Sequence, residues 1–583
     1  MRLGPLLLLA LGLLVGCDDS EPKTSNSRIV YAGEALPFEA DPARSWSAGA
    51  MVAAANPMAV EAGLEILRKG GSAVDAALAV QAVLGLVEPQ SSGLGGGAFL
   101  IHYDAKTGAV TAYDGRETAP AGARPDMFLT DGQPMSFKDA VTDGNSIGTP
   151  GLVSLLLLAH ADHGKLSLAD DFAPAIKLAA EGFPAPKRMA AAAEMSAGFY
   201  GPMTGDAAAY LFPGGAAITP GQTILNPAYA DTLTRIANEG AKGFYEGPVA
   251  EAMVAAARAG NRPGTLSLED LKGFEARKVK PLCRYYRSMY NVCGMGPPSS
   301  GGIAVLATLG VLGHFDMAAH KGNATGWHLL IEAERLAYAD RDKYAADDTV
   351  VPVPVAGLLD PEYLAERAKL ISTGKAMTEA TAGTPPGAPK WAQQLADYAH
   401  GTSHFVVVDA AGNVVSMTTT IEGIYGSQRM AAGFFLNNEM TDFSFAPTGP
   451  DGTPIANAVA PGKRPRSSMA PTIVFKDRQF LLAVGSPGGS SIIGYVLKSL
   501  VAMLDWGVEP QAALALPNVV ARGTPAVEAG FDPALREALT AMGQQVRDAP
   551  PGEGSGLHAV MVMPDGTLKG GADPRREGLA AAP

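Results

Sequence analysis

The most constraining feature of this sequence is a predicted β-hairpin that follows Thr402. Residues 405–408 (FVVV) are a short apolar, β-branched run, and residues 414–420 (VVSMTTT) are a second one. The sequence DAAGN at 409–413 lies between them and is typical of a tight turn. This pattern predicts two paired strands, with Thr402 at one end of a buried sheet.

Thr402 is predicted to cut the chain in front of itself. Residues 372–390, upstream of it, are rich in Gly, Pro and Thr without a clear period, which predicts a mobile linker. The Thr402 hydroxyl can attack the carbonyl of Gly401, and hydrolysis of the resulting ester leaves an N-terminal threonine whose α-amine is the general base. Gly401 has no side chain to obstruct the attack. Taken alone, these residues also fit an ordinary threonine that opens a strand.

The composition is that of a folded globular protein. The chain has 583 residues, of which 47% are hydrophobic and 18% are charged, enough for several domains or one large one. Its formal net charge of −13 argues against a nucleic-acid partner. An anionic substrate would therefore have to be held by a few placed cations.

The N-terminus resembles a bacterial lipoprotein leader. Residues 1–16 combine Arg2 with an apolar run too short to span a membrane, and the sequence LVGC (14–17) resembles a lipoprotein cleavage box. We predict a signal peptide at 1–16, lipidation of Cys17 and a polar tether at 17–47. The acidic residue after Cys17 resembles an inner-membrane retention signal, so we expect a periplasmic protein whose lipid anchor is its only membrane contact. An ordinary signal peptide with a chance cysteine is the alternative.

The other two cysteines lie in the sequence CRYYRSMYNVC, at Cys283 and Cys293. The aromatic run on both sides of a central Arg-Ser predicts a hairpin. In an exported protein, two cysteines across a hairpin predict a disulfide bond. Two free buried thiols are the alternative.

The sequence contains no metal or cofactor motif. Residues 327–344 predict a helix with several Glu, Asp and His residues, but their spacing matches no known ligand pattern, which favours a solvated helix face. The Gly-rich stretch 91–97 precedes a strand and lacks the phosphate-loop pattern. We therefore expect neither a metal nor a cofactor.

Longer motifs, read in order along the chain, resemble the γ-glutamyltranspeptidase family. These motifs are MVAAANPMAVEAGLEILRKGGSAVDAA (51–77), EPQSSGLGGGAFL (88–100), DGRETAP (114–120), SIGTPG (146–151), PPSSGG (297–302), GTSHFVVVD (401–409), GFFLNNEMTDFS (433–444), KRPRSSMAPT (463–472), GSPGGS (485–490) and GGADPRR (570–576). The resemblance implies an α/β fold, a four-layer αββα sandwich of the N-terminal nucleophile hydrolase type. It also implies a heterodimer of two fragments, a large subunit at 48–401 and a small subunit at 402–583.

The resemblance also implies the catalytic residues. Thr402 matches the family's processed nucleophile, with the cleavage site between Gly401 and Thr402, and Thr420 matches the second threonine that orients it. Gly488 and Gly489 match the pair whose N–H groups bind the developing oxyanion. The sequence around them is not GxSxG, which argues against a serine nucleophile.

Five further residues match the family's clamp for the amino-acid head of the donor. Arg116, with its planar guanidinium, matches the residue that grips the α-carboxylate. Ser467 and Ser468 match two serines that bind the same carboxylate. Glu439 and Asp442 match positions that hold the α-ammonium.

The chain departs from the family at two places. Glu422 stands where the family commonly has Asn, and we expect it to hold the donor α-ammonium together with Glu439 and Asp442. In the empty site the three carboxylates should repel and raise one another's pKa values. The segment 446–463 matches the lid loop but contains no Tyr, although some members gate the site with a lid tyrosine. Acceptor access is expected to differ accordingly.

The implied activity is self-processing γ-glutamyl transfer and hydrolysis. Glutathione or a related γ-glutamyl compound is the donor, and water, an amino acid or a peptide is the acceptor. A glutaryl or cephalosporin acylase built on the same machinery is the first alternative. An inactive binding lipoprotein is the second, and the complete set of Thr402, Thr420, Gly488 and Gly489 argues against it.

Overall fold

The computed structural model describes residues 29–31, 49–394, 401–550 and 554–583. The predicted signal peptide, Cys17 and most of the predicted tether lie outside the described residues. Ile29–Tyr31, which the sequence assigned to the tether, forms a short strand. Within the part of the chain that is described, no helix is both long and apolar enough to cross a membrane.

Short strands make up the two central sheets and a few small ribbons. In chain order they are β1 (Ile29–Tyr31), β2 (Met51–Ala54), β3 (Gly97–Tyr103), β4 (Val110–Gly115), β5 (Leu129–Thr130), β6 (Gln133–Pro134), β7 (Phe183–Pro184), β8 (Thr223–Ile224), β9 (Arg277–Val279), β10 (Leu282–Tyr286), β11 (Tyr290–Gly294), β12 (Ser403–Val408), β13 (Val414–Thr420), β14 (Met430–Ala431), β15 (Phe434–Phe435), β16 (Thr472–Lys476), β17 (Gln479–Gly485), β18 (Val519–Val520), β19 (Ala526–Val527), β20 (Arg547–Asp548), β21 (His558–Val562), β22 (Leu568–Ala572) and β23 (Leu579–Ala581).

The helices lie between and outside these strands. In chain order they are α1 (Pro57–Arg68), α2 (Ala73–Val87), α3 (Phe137–Thr142), α4 (Leu152–His163), α5 (Leu168–Glu181), α6 (Lys187–Tyr200), α7 (Gly205–Leu211), α8 (Pro227–Glu239), α9 (Lys242–Tyr245), α10 (Gly247–Arg258), α11 (Leu268–Lys272), α12 (Gly301–Leu312), α13 (Ala324–Tyr344), α14 (Val355–Leu358), α15 (Pro361–Ala368), α16 (Ile492–Leu504), α17 (Pro510–Ala515) and α18 (Pro533–Ala541).

Two seven-stranded antiparallel sheets face each other. The first sheet has the strand order β1-β10-β11-β16-β17-β21-β22, and the second has the order β23-β2-β12-β13-β3-β4-β9. The predicted hairpin is β12 and β13, and it occupies the middle of the second sheet. The two strands pair with each other and are flanked by β2 and β3.

The alternation of side chains along β12 explains how this hairpin is buried. Val406 and Val408 belong to the same buried cluster as Phe475 of the first sheet, whose ring contacts the ring of Tyr103 of the second sheet, so this cluster fills the space between the sheets. Phe405 and Val407 point to the opposite face and pack in the core beneath the helices. Because successive strand residues face opposite sides, an unbroken apolar run can be buried on both faces.

Helices cover the outer face of each sheet. Helices α12, α16 and α17 pack on the first sheet, and α1, α2 and α4 pack on the second. The layers therefore run helix, sheet, sheet, helix, and the predicted αββα sandwich is confirmed.

The prediction of a solvated face on the helix at 327–344 is wrong. In α13 the side chains of His328, Glu332, Glu334 and Asp340 are all buried. The three carboxyl groups accept hydrogen bonds from backbone N–H groups of other segments, which lie more than 40 residues away in the sequence. The composition of a single helix cannot reveal such partners, and buried charges of this kind are stabilised only by them.

Residues 372–390 are not the loose connection that their composition predicted. The segment is irregular but lies along α13, which supplies hydrogen-bond acceptors for its backbone. Glu332 Oε2 accepts from Met377 N at 2.7 Å, and Asp340 Oδ1 accepts from Gly383 N at 2.7 Å. The buried carboxylates of the helix thus fix the chain that leads towards Thr402.

Cys283 and Cys293 form a disulfide bond between β10 and β11, where they are directly opposite each other in the antiparallel register. Both cysteines are buried in the core between the sheets. The bond closes the hairpin that the aromatic run predicted.

Candidate active site

Thr402 lies at the mouth of the central hairpin, one residue before β12 begins. It is buried, and its Oγ1 hydroxyl contacts the carbonyl oxygen of Gly401. Its Oγ1 is also 3.3 Å from Oγ1 of Thr420, the last residue of β13. Strand pairing therefore brings together two threonines that are 18 positions apart in the sequence.

Thr420 is held so that its hydroxyl can act on the Gly401 carbonyl. Its Oγ1 accepts a hydrogen bond from Glu422 N at 2.8 Å and donates one to Gly401 O at 3.2 Å. The Thr402 hydroxyl can donate to the same Thr420 oxygen. This pattern leaves a Thr402 lone pair for the carbonyl carbon, while Thr420 stabilises negative charge on the carbonyl oxygen.

Position 401 accepts only glycine without a shift of the backbone. A Cβ there would lie 2.6 Å from Glu422 O and 2.8 Å from Gly423 O. The Gly401 N–H also donates to Glu422 O at 2.5 Å. Glu422 itself has a φ of 74°, a left-handed conformation that is costly for a residue with a side chain.

Gly488 and Gly489 form a turn between β17 and α16. Their φ angles are 130° and 56°, and a Cβ on Gly488 would lie 2.6 Å from the ring of Tyr495. Gly489 lines the pocket that contains Thr402, whereas Gly488 lines a larger adjoining cavity. The turn is braced by Tyr338, whose hydroxyl donates to Ser490 O at 2.6 Å.

Arg116 follows β4 and is completely buried beside the threonines. Its Nη1 contacts Glu439 and its Nη2 contacts Asp442, in two ion pairs. Its Nε donates to Pro465 O at 3.1 Å. The cation and the two carboxylates that the sequence assigned to opposite ends of the donor head are therefore paired with each other.

Glu422 lies in the same pocket, as its predicted role requires. Its Oε2 accepts a hydrogen bond from the Asn438 side chain, and Asn438 Oδ1 in turn accepts from Gly423 N at 2.7 Å. The pKa of Glu422 is raised well above its ordinary value, first by burial and then by the negative charges of Asp442 and Glu439. The expected direction is confirmed, but desolvation is a larger cause than repulsion.

Sequence reasoning missed a fourth acidic residue in this cluster. Glu117, next to Arg116, is buried, and the pKa of its carboxyl is raised well above normal by burial and by Glu439. Burial also raises the pKa of Glu439, to about 7, against the opposing effect of Arg116. One guanidinium thus faces several carboxyl groups that cannot all be ionised near neutral pH.

Ser467 and Ser468 line the same pocket as the acidic residues. Ser468 Oγ accepts a hydrogen bond of 2.5 Å from Nη2 of Arg341, a residue of α13. Ser467 Oγ accepts from Met469 N at 3.1 Å. Arg341 also lines the pocket, and the sequence did not indicate it because it lies among the acidic residues of that helix.

Comparison with known proteins decides the family. The family model for gamma-glutamyltranspeptidase matches residues 59–583. A glutathione hydrolase proenzyme of Bacillus subtilis is 38% identical over 546 residues, covering 91% of each chain. This chain belongs to the γ-glutamyltranspeptidase family.

Acylases are also among its relatives. An acylase ACY 1 proenzyme of a Pseudomonas species is 34% identical, covering 91% of this chain and 93% of the relative. The crystal structure of a cephalosporin acylase from Bacillus halodurans superposes with a TM-score of 0.80 at 27% identity, covering 98% of this chain and 99% of that one. The fold and the family are therefore compatible with either acyl group, and the residues of the pocket must decide which one this protein cleaves.

The pocket around Thr402 is small in this member of the γ-glutamyltranspeptidase family. Its volume is about 20 Å³, room for about one water molecule. Gly401 is part of its lining, and Arg116 is paired within it. A donor can enter only after the carbonyl of Gly401 has left the pocket and the charges of the donor have replaced the ion pairs of Arg116 with Glu439 and Asp442.

The segment 446–463, which matches the family's lid loop, contacts the backbone of Asp442 and lies outside this pocket. Asn457 Nδ2 donates to Asp442 O at 2.7 Å, and Lys463 Nζ donates to Ala458 O at 2.9 Å. No residue of the segment lines the pocket around Thr402. It therefore holds the backbone of Asp442 in place.

Arg576 is a further residue that sequence reasoning left without a role. It belongs to the last family motif, GGADPRR, and its Nη1 donates to the backbone oxygen of Thr402 at 3.2 Å. This hydrogen bond fixes the backbone of Thr402. The motif was a signal for it, but a motif does not say which atom an arginine binds.

One cluster outside the site has the spacing of metal ligands. Asp75, His160 and Asp171 place one ligand atom each within 4.8 Å of one another. His160 Nε2, however, lies 3.0 Å from Leu166 O, an acceptor, so this nitrogen carries a proton and has no lone pair for a metal. The proximity of Asp171 raises the pKa of His160, which fits a charged imidazole between two carboxylates.

Proposed function

We propose that this γ-glutamyltranspeptidase family member cuts itself between Gly401 and Thr402 and then cleaves γ-glutamyl amides such as glutathione. The γ-glutamyl group passes to water or to an amino-acid or peptide acceptor. The observation that carries the proposal is the contact of the Thr402 hydroxyl with the Gly401 carbonyl, next to a buried pair of opposite charges. The first feature supports self-cleavage, and the second supports a zwitterionic donor.

Self-cleavage proceeds as an acyl shift from nitrogen to oxygen. Thr402 Oγ1 attacks the Gly401 carbonyl carbon, and Thr420 donates a hydrogen bond to the carbonyl oxygen. The C–N bond breaks, and the nitrogen takes the proton of the hydroxyl. Water then hydrolyses the ester, which leaves a carboxylate on Gly401 and a free amine and hydroxyl on Thr402.

Donor cleavage uses the same hydroxyl. The Thr402 α-amine accepts its proton while the oxygen attacks the γ-carbonyl carbon of the donor. The N–H groups of Gly488 and Gly489 donate hydrogen bonds to the carbonyl oxygen and so stabilise the negative charge that develops on it. The leaving amine takes a proton from the Thr402 ammonium, and water or an acceptor amine then attacks the γ-glutamyl ester.

The paired charges favour a γ-glutamyl donor over a glutaryl donor. The α-carboxylate of a γ-glutamyl group can take Arg116, while its α-ammonium takes Glu439 and Asp442, so every buried charge keeps a partner. A glutaryl group has no ammonium. It would take Arg116 and leave the two carboxylates unpaired, and uncompensated buried charges cost several kcal/mol or force protonation.

The experiment compares matched donors on purified, processed protein. We expect kcat/KM for γ-glutamyl-p-nitroanilide to exceed that for glutaryl-p-nitroanilide at least tenfold, with two fragments on denaturing electrophoresis and Thr402 at the new N-terminus. Thr402→Ala should give one band and no turnover. A preference for the glutaryl donor would establish the acylase alternative.

The location is a separate proposal. We infer a periplasmic protein anchored to the inner membrane through lipid on Cys17, after removal of residues 1–16. The support is the short apolar leader and the LVGC sequence at its end. The polar residues that follow suit a tether between the lipid and the folded enzyme.

A further inference from the structure

The motif PPSSGG (297–302) lies against the segment that carries Ser467 and Ser468. Ser299 and Ser467 form an isolated β-bridge. Ser467 N donates to Pro298 O at 3.0 Å, and Ser300 N donates to Ser467 O at 2.8 Å. The motif therefore binds both the N–H and the C=O group of Ser467, a residue of the pocket around Thr402.

The contact is close because α12 begins with a glycine. A Cβ at Gly301 would lie 2.6 Å from Met469 O and 2.8 Å from Ser468 O. These are backbone atoms, so a side chain at position 301 would push the segment of the two serines away from the helix. The start of α12 is thus built against the backbone of residues 468 and 469.

Ser300 is the N-cap residue of α12, yet its side chain makes no capping hydrogen bond. An N-cap serine ordinarily accepts a hydrogen bond from an N–H group in the first turn of its own helix. Here the neighbouring Ser299 accepts from Gly301 N at 3.0 Å. The hydroxyl of the buried Ser300 instead donates to Ser467 O at 2.6 Å. This hydroxyl therefore supports the pocket rather than the helix.

Arg341 connects the same hydroxyl to Ser468. Its Nε donates to Ser300 Oγ at 3.0 Å, and its Nη2 donates to Ser468 Oγ at 2.5 Å. The guanidinium group is planar and rigid, so a contact at Nε also fixes the direction of the N–H groups at Nη2. Ser300 thus bears on Ser467 directly and on Ser468 through Arg341.

These contacts determine how the two pocket hydroxyls can bind a ligand. Ser468 Oγ accepts from Arg341, and Ser467 Oγ accepts from Met469 N at 3.1 Å. A guanidinium and a backbone N–H group can only donate, and a hydroxyl has one proton of its own. Each serine can therefore donate that proton to a ligand in the pocket. Two O–H donors side by side suit a carboxylate, which only accepts.

We propose that Ser300 is a positioning residue for the α-carboxylate of the donor. It does not touch the donor. Through Ser467 O and through Arg341 it sets the place and direction of the two hydroxyls that bind the carboxylate. This inference rests on the proposed function, since it concerns the donor head of the same active site.

The first test separates KM from kcat with γ-glutamyl-p-nitroanilide on processed protein. Ser300→Ala should raise KM about three- to tenfold, the effect of weakening a hydrogen bond to the carboxylate. The carboxylate takes no part in the bond changes, so kcat should stay within about twofold of wild type. Ser300→Gly, which an N-cap position tolerates, is the second variant and should behave in the same way.

The matched control is Thr308→Val. Thr308 is a buried residue of the same helix, and its hydroxyl donates to Ala304 O at 2.8 Å within that helix. Its loss should leave KM at the wild-type value. An equal rise of KM in Thr308→Val, or a Ser300→Ala variant with lower kcat and unchanged KM, would overturn the positioning role.

A third variant tests whether Ser300 acts through the two pocket serines. In protein that already carries Ser467→Ala and Ser468→Ala, the further change Ser300→Ala should hardly alter KM, because the hydroxyls that it positions are gone. A further rise of KM as large as in the wild-type background would show that Ser300 acts by another route and would overturn the inference.

A binding measurement separates this inference from the proposed function. L-Glutamate should raise the Tm of processed wild-type protein more than isoglutamine, its α-amide, does, and Ser300→Ala should remove most of the difference. If wild type shows this behaviour but fails to cleave γ-glutamyl donors, the proposed function is wrong and the positioning role stands. If wild type cleaves these donors and Ser300→Ala keeps the full difference, the proposed function stands and the positioning role is wrong. Equal shifts with both ligands in wild type would also remove that role.

Discussion

Gly401→Ala tests whether the fit of the cleavage site, rather than the nucleophile alone, sets the rate of self-cleavage. The added Cβ would lie 2.6 and 2.8 Å from two backbone oxygens, where ordinary contacts begin at 3.4 Å. The chain must therefore move by about 0.6–0.8 Å, since neither oxygen belongs to a flexible side chain. Overpacking of this kind costs about 1–3 kcal/mol.

The displacement acts on the atoms that react. A misplacement of about 1 Å at a reacting centre can reduce the rate about a hundredfold. We therefore expect Gly401→Ala to slow cleavage roughly 10- to 100-fold, which corresponds to about 1.4–2.7 kcal/mol in the barrier. The fold itself should persist, because the clash is confined to the mouth of the hairpin.

The assay follows full-length chain into two fragments on denaturing gels after a pulse of cell-free synthesis. Gly374→Ala is the matched control, because a Cβ at that position would meet nothing within 4 Å. It lies upstream, within the irregular segment 372–390, and should cleave at the wild-type rate. Cleavage of Gly401→Ala at the wild-type rate, or equal slowing of both variants, would refute the steric argument.

Three other predictions concern the donor head and the anchor. Arg116→Lys keeps the charge but loses the planar fork, so it should raise KM for glutathione and lower kcat/KM, with a loss of transition-state stabilisation of roughly 1.5–3 kcal/mol. The control is Arg124→Lys, which changes an exposed arginine nearby. An unchanged KM would remove Arg116 from the site. Because the pKa of Glu439 is raised to about 7 and the donor ammonium needs its ionised form, kcat/KM should rise with pH through about 7. Glu439→Gln should remove this rise of kcat/KM with pH, which wild-type protein should show. If the rise is unchanged by the substitution, it belongs to another titrating group. Cys17→Ala should move the protein from the membrane to the soluble fraction, and a wild-type protein already soluble would contradict lipidation.

The parts of the fold that depend on neighbouring residues could be predicted from the sequence. The hairpin of β12 and β13 was predictable because its strands, its turn and its pairing all lie within 20 residues. The disulfide was predictable for the same reason, since Cys283 and Cys293 face each other across a second hairpin. The layer order and the threonine pair came from the family motifs.

The errors arose where a residue's partner is distant in the sequence. Glu332 and Asp340 resembled a solvated face because their backbone partners belong to a segment that begins some 40 residues later. Arg341 was hidden among them, although it reaches Ser468. Periodicity reports which face of a helix is polar, but it cannot show whether that face meets water or another polar segment.

The interleaving of strands has a consequence for the proposed cut between Gly401 and Thr402. In the second sheet, β12 and β13 come from the chain after Thr402, while their neighbours β2 and β3 come from the chain before it. In the first sheet, β11 from before the cut pairs with β16 from after it. The cut removes one peptide bond and no strand pairing.

Separating the fragments would therefore mean dismantling both sheets at once, so their dissociation and their unfolding are one event. Fragments from two cleaved populations should not exchange when the populations are mixed, however long they stand together. We therefore expect each cut molecule to keep for its lifetime the partner fragment with which it was synthesised. By the same reasoning, a damaged fragment should not be replaced by an intact one from another molecule.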